Sequence, residues 1–522
     1  MVYEKAKQMP IAEIGANFLR KETIVVGVVD RIVQTGGPTV FNVVDGTGGL
    51  SLKGFVSAGV RAYPHIVEGD FIEALVKIDE FQGEMEGNIL KIVAKRGDEV
   101  VALKKHILHQ QRERAKVVNK NFLVDSEILA KLKEPILKAA LEIRLAVIQG
   151  RPIVVRHHND TDGYCSGFAL ERAILPLIEK QHNGPKAGWE YFKRAPCRAP
   201  YYELQDSIKD TAMSLRDVAK FSAKMPLIII ADNGASAEDL MAIKQAKIHG
   251  SEIIVIDHHD YGVEDVISSE VLANINPHLV GESGNDISAG MLCVEVARFV
   301  NENIENLSQI PALAGYADRI ELANDVLMKK YLAIAKKEGY DRELLKDISL
   351  VIEYVSTKVG FMEAREYVGV LFGEPRDKQR ELVSLMAPYI RELDKKGLEI
   401  GKVAAEVEVF DNGVSFQTID IDKSFPGFGF FPKPGRATGL LHDSLKTEGT
   451  VKLVSAGVMG TAITFRATDE ANFSVHGLIA VLKEKLPNAF VEGGGHKNAG
   501  AINFIPRKKK EVLEIVREFV SR

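Results

Sequence analysis

Residues 152–163 read PIVVRHHNDTDG. The apolar run has the length of a short buried strand, and it stops at a cluster of His157, His158, Asp160 and Asp162. Two later stretches repeat the design: PLIIIADNG at 226–234 ends on Asp232, and EIIVIDHHD at 252–260 carries Asp257, His258 and His259. A fourth strand is expected over Val271–Ile275. Apolar strands separated by helical stretches predict a mostly parallel sheet covered on both faces. Open α/β sheets bind ligands just past the C-terminal ends of their strands. A lone Asp-x-Asp is often a simple turn, and so is Asp-Asn-Gly after a strand. Their recurrence at successive strand ends makes them a site.

The residue types then specify chemistry. His158, Asp160, Asp162, Asp232, Asp257, His258 and His259 are joined by Asp318, within AGYADRIEL at 314–322. Carboxylates and imidazoles without cysteine favour Mn²⁺ or Mg²⁺ over structural zinc. Carboxylates crowded in one cleft repel and raise one another's pKa, so such a cluster implies bound cations. A pair of ions that neutralises a phosphodiester is the two-metal design for hydrolysis.

Outward from this centre the texture changes. Residues 23–94 alternate in short apolar runs broken by Gly36-Gly37-Pro38, Asp45-Gly46-Thr47-Gly48 and Glu68-Gly69-Asp70. Five or so short strands predict a small closed barrel. VVDGTGGLSLKGFV at 43–56 is similar to the strand-turn-strand of nucleic-acid-binding OB-folds. Phe41, Phe55, Phe71 and Phe81 are candidates to stack on bases, with core packing the alternative for each. The charged helical stretch of residues 100–147 reads as a solvated linker. Residues 285–396 read as helical, and from Lys402 the pattern is again mixed α/β. The expected organisation is a barrel over residues 1–98, a helical linker over 99–149, an α/β domain with helical extension over 150–400, and a C-terminal α/β domain over 401–522.

Composition bounds the function. Sixty-seven Lys and Arg against 72 Asp and Glu give a net charge of −5, so nucleic acid would be held by a local patch and not by the overall field. Cys165, Cys197 and Cys293 are too few and scattered for a disulfide framework, which fits a reducing compartment. The longest apolar runs are strand-sized, well short of the ~20 residues a membrane span needs. A cytoplasmic protein without membrane attachment is expected.

HHNDTDG, IIIADNG, VIDHHD and GYADRIEL, in this order, resemble the four motifs of the DHH phosphoesterase superfamily. GGGHKNAGA at 493–501 resembles the signature of the DHHA1 domain that accompanies it. Among the branches, the chain looks most like archaeal RecJ-like single-strand exonucleases, here with an N-terminal OB-fold. The resemblance implies that Asp160, Asp162, His258 and Asp318 are metal ligands and that Asp232 bridges two ions. It implies that His259 faces the scissile phosphate while Asp257 supports the site. Bacterial RecJ proteins usually carry Asp where this chain has His158, which is either a ligand or a group that supports one. Arg466, His496 and the glycines Gly493, Gly494 and Gly495 are implied to grip substrate phosphate, a role for which glycine backbone and guanidinium are both suited. The Phe/Pro/Gly segment 425–435 and Arg194–Tyr202 read either as channel lining or as packing.

The expected activity is therefore a two-metal exonuclease acting on single-stranded DNA or RNA, in DNA repair or replication, with replication or repair proteins as possible partners. A phosphodiesterase for short oligoribonucleotides or cyclic dinucleotides is the alternative. The barrel favours a polymer, because a dinucleotide needs no extra binding domain. A non-catalytic replication scaffold is disfavoured by the full ligand set.

Overall fold

The computed structural model describes residues 6–182, 184, 186–197, 199–221, 224–262, 264–359, 365–425 and 432–522. They form two compact units, residues 1–116 and 117–522.

In the first unit, β1 (Glu22–Gln34), β2 (Thr39–Val44), β3 (Gly49–Gly54), β4 (Phe71–Phe81) and β5 (Glu84–Ala94) close into a barrel in the order β1-β2-β3-β5-β4. Alternation along β1, β2 and β3 buries Val25, Val29, Phe41, Val43 and Leu52 inside it, joined by Ile72 and Val76 of β4. The Asp45 carboxylate fixes the turn after β2, accepting the N–H groups of Thr47 and Gly48 at 2.8 and 2.9 Å, and that of Ile11 at 2.7 Å. Helix Asp98–Ala115 ends this unit.

The second unit carries two sheets. In the first, β6 (Ile153–His157), β7 (Phe192–Pro196), β8 (Leu227–Ala231), β9 (Glu252–Ile256) and β10 (Ala273–Ile275) are all parallel, ordered β10-β9-β8-β6-β7. The chain leaves β6 for β7 on one side, then returns to β8 on the other. The gap between β6 and β8 is thus the topological switch point, where open sheets form a crevice. Register aligns His157 with Ala231 and Ala231 with Ile256. The loops after β6, β8 and β9 therefore emerge at one level.

Helices complete the core. Helix Thr161–Gln181 packs on Ala289–Val300, whose residues are nearly all buried. The stretch read as a solvated linker is two different things. Its second half, helix Lys133–Ile148, buries Ile136, Ala139, Ala140 and Ile143 in this core. Those positions make an i, i+3, i+4, i+7 stripe, which a high charge density obscures in the sequence.

One buried acid has a consequence for stability. Glu295 is fully buried, accepting Leu123 N–H at 2.9 Å and Tyr331 O–H at 2.8 Å. Burial pushes its carboxyl from 4.5 up to about 7. A raised carboxyl stabilises the fold fully below its unfolded value, and this contribution is lost as pH rises through about 7. Glu295→Gln is expected to remove that loss, worth about 3 kcal/mol at ~1.4 kcal/mol per pKa unit. Melting of both proteins at pH 5 and pH 8 checks this, and an unchanged gap between them refutes it.

The last sheet, ordered β11-β12-β13-β14-β16-β15, contains β11 (Glu406–Val409), β12 (Ser415–Asp420), β13 (Leu453–Val458), β14 (Ala462–Ala467), β15 (Glu492–His496) and β16 (Ala499–Asn503). Val454, Ala456, Phe465, Leu478, Ile502 and Val516 form its own core beneath helices Val475–Lys485 and Lys509–Val520.

Candidate metal centre

The switch point gathers the predicted residues. Asp160 caps helix Thr161–Gln181, one oxygen accepting Gly163 N–H at 2.9 Å. A Cβ at Gly163 would stand 2.2 Å from the His158 carbonyl oxygen, so only glycine lets the helix begin this close to the loop. Asp162 uses Oδ1 to accept Ser288 Oγ–H at 2.8 Å and Gly290 N–H at 3.0 Å. Its other oxygen, Oδ2, is buried without a hydrogen-bond partner.

Asp232 lies at the centre. It is 1% exposed, and neither carboxylate oxygen has a hydrogen-bond partner. Its φ is +57°, the left-handed region, which costs an ordinary residue on the order of 1 kcal/mol. One oxygen stands 3.6 Å from His158 Nδ1 and the other 3.4 Å from His258 Nε2. His158 Nδ1 is also 2.8 Å from Asp160, and His258 Nε2 is 3.0 Å from Asp318 and 3.9 Å from Asp162. The donors thus fall into two sets, His158–Asp160–Asp232 and Asp162–His258–Asp318, each with ligand atoms mutually within 4.8 Å. Asp232 reaches both.

The surroundings orient these donors. The Gly284 carbonyl accepts His258 Nδ1–H at 2.8 Å, so Nε2 is the ring nitrogen turned to the acids. Gly284 N–H is itself 3.2 Å from His278 Nε2, which holds the carbonyl in place. Asp257 accepts His258 N–H, His259 N–H and the His259 ring Nδ1–H, at 2.8, 3.2 and 2.8 Å. His259 therefore points its free edge away from the strand end, and these donors hold Asp257 ionised well below the usual carboxylate range despite its burial.

The electrostatics mark a cluster short of positive charge. Burial, then the Asp232 and Asp318 charges, push Asp162 well above its ordinary value. Burial and Asp160 raise Asp232. For His258, burial favours the neutral ring but is outweighed by Asp232 and Asp318, which raise it. Orphaned buried oxygens and ring nitrogens at 3–4 Å, facing one another, fit divalent cations of the oxygen-preferring kind.

The C-terminal sheet supplies the facing wall. The His496 ring lies 4.9 and 4.6 Å, centroid to centroid, from those of His258 and His259. Burial and the charge of its neighbours drive it well below the usual histidine range, so it is a neutral donor or acceptor. Arg466, on β14, lines the same cleft of about 780 Å³ together with His158, Asp160 and Asp318. Gly493, Gly494 and Gly495 do not form a loop. They lie in β15 against Ile502, Ala501 and Gly500 of β16, and His496–Ala499 line the cleft in their place. A Cβ at Gly493 would meet the Ala501 carbonyl at 2.4 Å, so sheet packing accounts for this glycine.

Several groups here left no mark in the sequence. Lys433 donates to the Asn159 carbonyl at 3.0 Å and Ser356 Oγ at 2.8 Å, and Arg319 pairs with Asp443 at 2.8 Å. Lys433 falls in the segment 425–435 flagged for its aromatics, of which residues 426–431 lie outside the described residues. Arg194 pairs with buried Glu171 at 3.2 Å, and Tyr202 O–H is 3.1 Å from Asp210. Arg194 and Tyr202 are therefore packing residues, whereas Tyr201 lines a separate cavity and donates to Glu492 at 3.1 Å.

Comparison with known proteins agrees with this geometry. The model of the DHH family, N-terminal domain, matches residues 152–317. The uncharacterized protein MJ1198 of Methanocaldococcus jannaschii is 35% identical over 98% of this chain and 71% of its own length. The chain belongs to the DHH family. It is a DHH-superfamily hydrolase. A solved DHH-domain structure, that of PF0399, described as a member of a family of ribosomal proteins, shares 38% identity at a TM-score of 0.75, covering 82% of this chain and 99% of its own. The exonuclease RecJ bound to manganese is 15% identical at a TM-score of 0.50, over 77% of this chain and 96% of that one. RecJ of Thermus thermophilus with Mn²⁺ is 16% identical at 0.52, over 80% and 59%. These last two show the shared fold. No helix among the described residues is long and apolar enough to cross a membrane.

Proposed function

We propose that the chain is a two-metal exonuclease that removes nucleotides from single-stranded DNA or RNA. The observation that carries this is Asp232, whose two unpartnered oxygens face two separate donor sets. His158, Asp160 and Asp232 would hold one ion, and Asp162, His258 and Asp318 the other, with Asp232 shared. When bound, the ions neutralise the scissile phosphodiester and supply a nucleophile at neutral pH. His259, anchored by Asp257, presents its free Nε2 edge to a phosphate in the cleft. Arg466 and His496, on the opposite wall, offer a guanidinium fork and an imidazole to the same group. A cleft with acids on one wall and a guanidinium and a neutral imidazole on the other suits one thin strand.

The direct experiment is digestion of end-labelled single-stranded DNA and RNA by the purified chain with Mn²⁺, resolved on a gel. Stepwise release of mononucleotides is expected. Hydrolysis confined to dinucleotides would instead favour the short-oligonucleotide reading.

The barrel is proposed to hold the strand. Of its four candidate phenylalanines, Phe41 is core, whereas Phe55 and Phe81 are 66% and 55% exposed. Lys53 Nζ lies 4.3 Å from the Phe81 ring centroid and is paired with Glu86 at 2.5 Å, so one face of Phe81 is covered and its opposite face is the one proposed to stack on a base. Removing residues 1–116 is expected to weaken binding of long strands while hydrolysis of a two- or three-nucleotide substrate persists. Each phosphate that the barrel no longer neutralises should flatten the salt dependence by about 0.7 in log–log slope. Affinities at several salt concentrations measure this, and an unchanged slope would assign the barrel to another task.

A further inference from the structure

A cavity of about 420 Å³ lies in the helical part of the second unit, and it shares no lining residue with the metal-centre cleft. Arg298, in the last turn of helix Ala289–Val300, and Arg376, the first residue of helix Arg376–Ala404, both line it. Arg298 Nε and Arg376 Nε and Nη2 are buried without a hydrogen-bond partner. Neither guanidinium forms an ion pair among the described residues. The Arg376 guanidinium lies 4.4 Å from the centroid of the Tyr340 ring, whose hydroxyl donates to Gln379 Oε1, so its orientation is fixed from below.

Burying a charged donor without an acceptor is costly, more so than burying a neutral one. Two such side chains, from different helices, line one space, which points to a missing acceptor. The placement of Arg376 strengthens this. It stands at the N-terminus of a 29-residue helix, where the macrodipole is already positive and a cation is disfavoured. Asp377 offsets part of that charge. The start of helix Ile310–Ala317 also borders the cavity, through Ser308 and Gln309. Two helix N-termini and two guanidinia together make an anion site.

The number and spread of the free donors choose the anion. A planar carboxylate satisfies one guanidinium edge, whereas a tetrahedral oxyanion offers oxygens to both at once. The volume exceeds that of inorganic phosphate and lies in the range of small-ligand pockets. Glu305 and Glu338, both exposed, also line it, and neither is within ion-pair distance of the arginines. We propose that this cavity is a second anion site, separate from the metal centre, that binds a small phosphate-bearing molecule.

Calorimetry of the full chain in EDTA, titrated separately with inorganic phosphate and with AMP, tests the proposal. Saturable binding is expected that survives Arg466→Ala, which strips the cleft of its own phosphate grip. It should weaken at least tenfold in Arg298→Gln and in Arg376→Gln. Tighter binding of AMP than of phosphate would assign a phosphomonoester, and equal binding free phosphate. No saturable binding of either probe, or binding abolished by Arg466→Ala and untouched by the other two changes, overturns the proposal. Should a glutamine variant fail to fold, Arg298→Lys and Arg376→Lys keep the charge and lose the fork. Reduced affinity in these with an unchanged melting curve supports the site, and unchanged affinity overturns it.

Discussion

Replacing Asp232 by asparagine is expected to lower the rate of phosphodiester hydrolysis by on the order of 10³-fold while leaving the protein folded. The change is nearly isosteric, and asparagine tolerates the left-handed backbone at φ +57° as well as aspartate does. What disappears is the charge that faces both donor sets, 3.6 Å from His158 and 3.4 Å from His258. Losing one charged group of a preorganised centre costs ~10²–10³ in turnover, and a residue shared by two ligand sets stands at the upper end. Stability should move the other way. Burial and the Asp160 charge already disfavour ionised Asp232, so the amide relieves repulsion in the metal-free protein. The melting temperature in EDTA is expected to be unchanged or higher. A near-normal rate at saturating Mn²⁺ would show that the centre lies elsewhere.

That Asp232 could be singled out from sequence at all reflects which features are local. A five-residue strand running into a turn that bears acids or histidines is a contiguous pattern, and β6, β8 and β9 each carry it. What aligns them is the sheet register, which the repeated strand–cluster spacing anticipates. The supports are different in kind. Gly284 lies 26 residues beyond the His258 it orients, and Ser288 and Gly290 lie 126 and 128 residues from Asp162. Lys433 reaches Asn159 across 274 residues. No composition or periodicity flags such groups, because their meaning exists only once the chain has folded. Gly493 shows the same limit from the other side. A run of three glycines reads as a phosphate grip, whereas the neighbour that demands glycine at 493, the Ala501 carbonyl, belongs to a strand partner.

Removal of divalent metal should have the largest effect of all: complete loss of turnover in excess EDTA, restored by Mn²⁺ or Mg²⁺. Asp160, Asp162, Asp232, Asp257 and Asp318 are drawn together within reach of three histidines, and Asp162 Oδ2 and both Asp232 oxygens are buried without a hydrogen-bond partner. A polyanionic substrate cannot approach that wall unless its charge is reversed. The same reasoning makes the metal a stabiliser. A cation bound by the native state alone at 100 times its dissociation constant adds about 2.7 kcal/mol to unfolding. The melting temperature should therefore rise with Mn²⁺, and Asp232→Asn should lose most of that rise along with the rate. The two readouts separate two explanations of metal dependence. If Mn²⁺ merely shielded the nucleic acid, activity would respond in both proteins and thermal stability in neither. Loss of the stability increment together with turnover, in a variant that melts normally in EDTA, would place the ions on the shared carboxylate. Full turnover in excess chelator would remove metal from the reaction altogether.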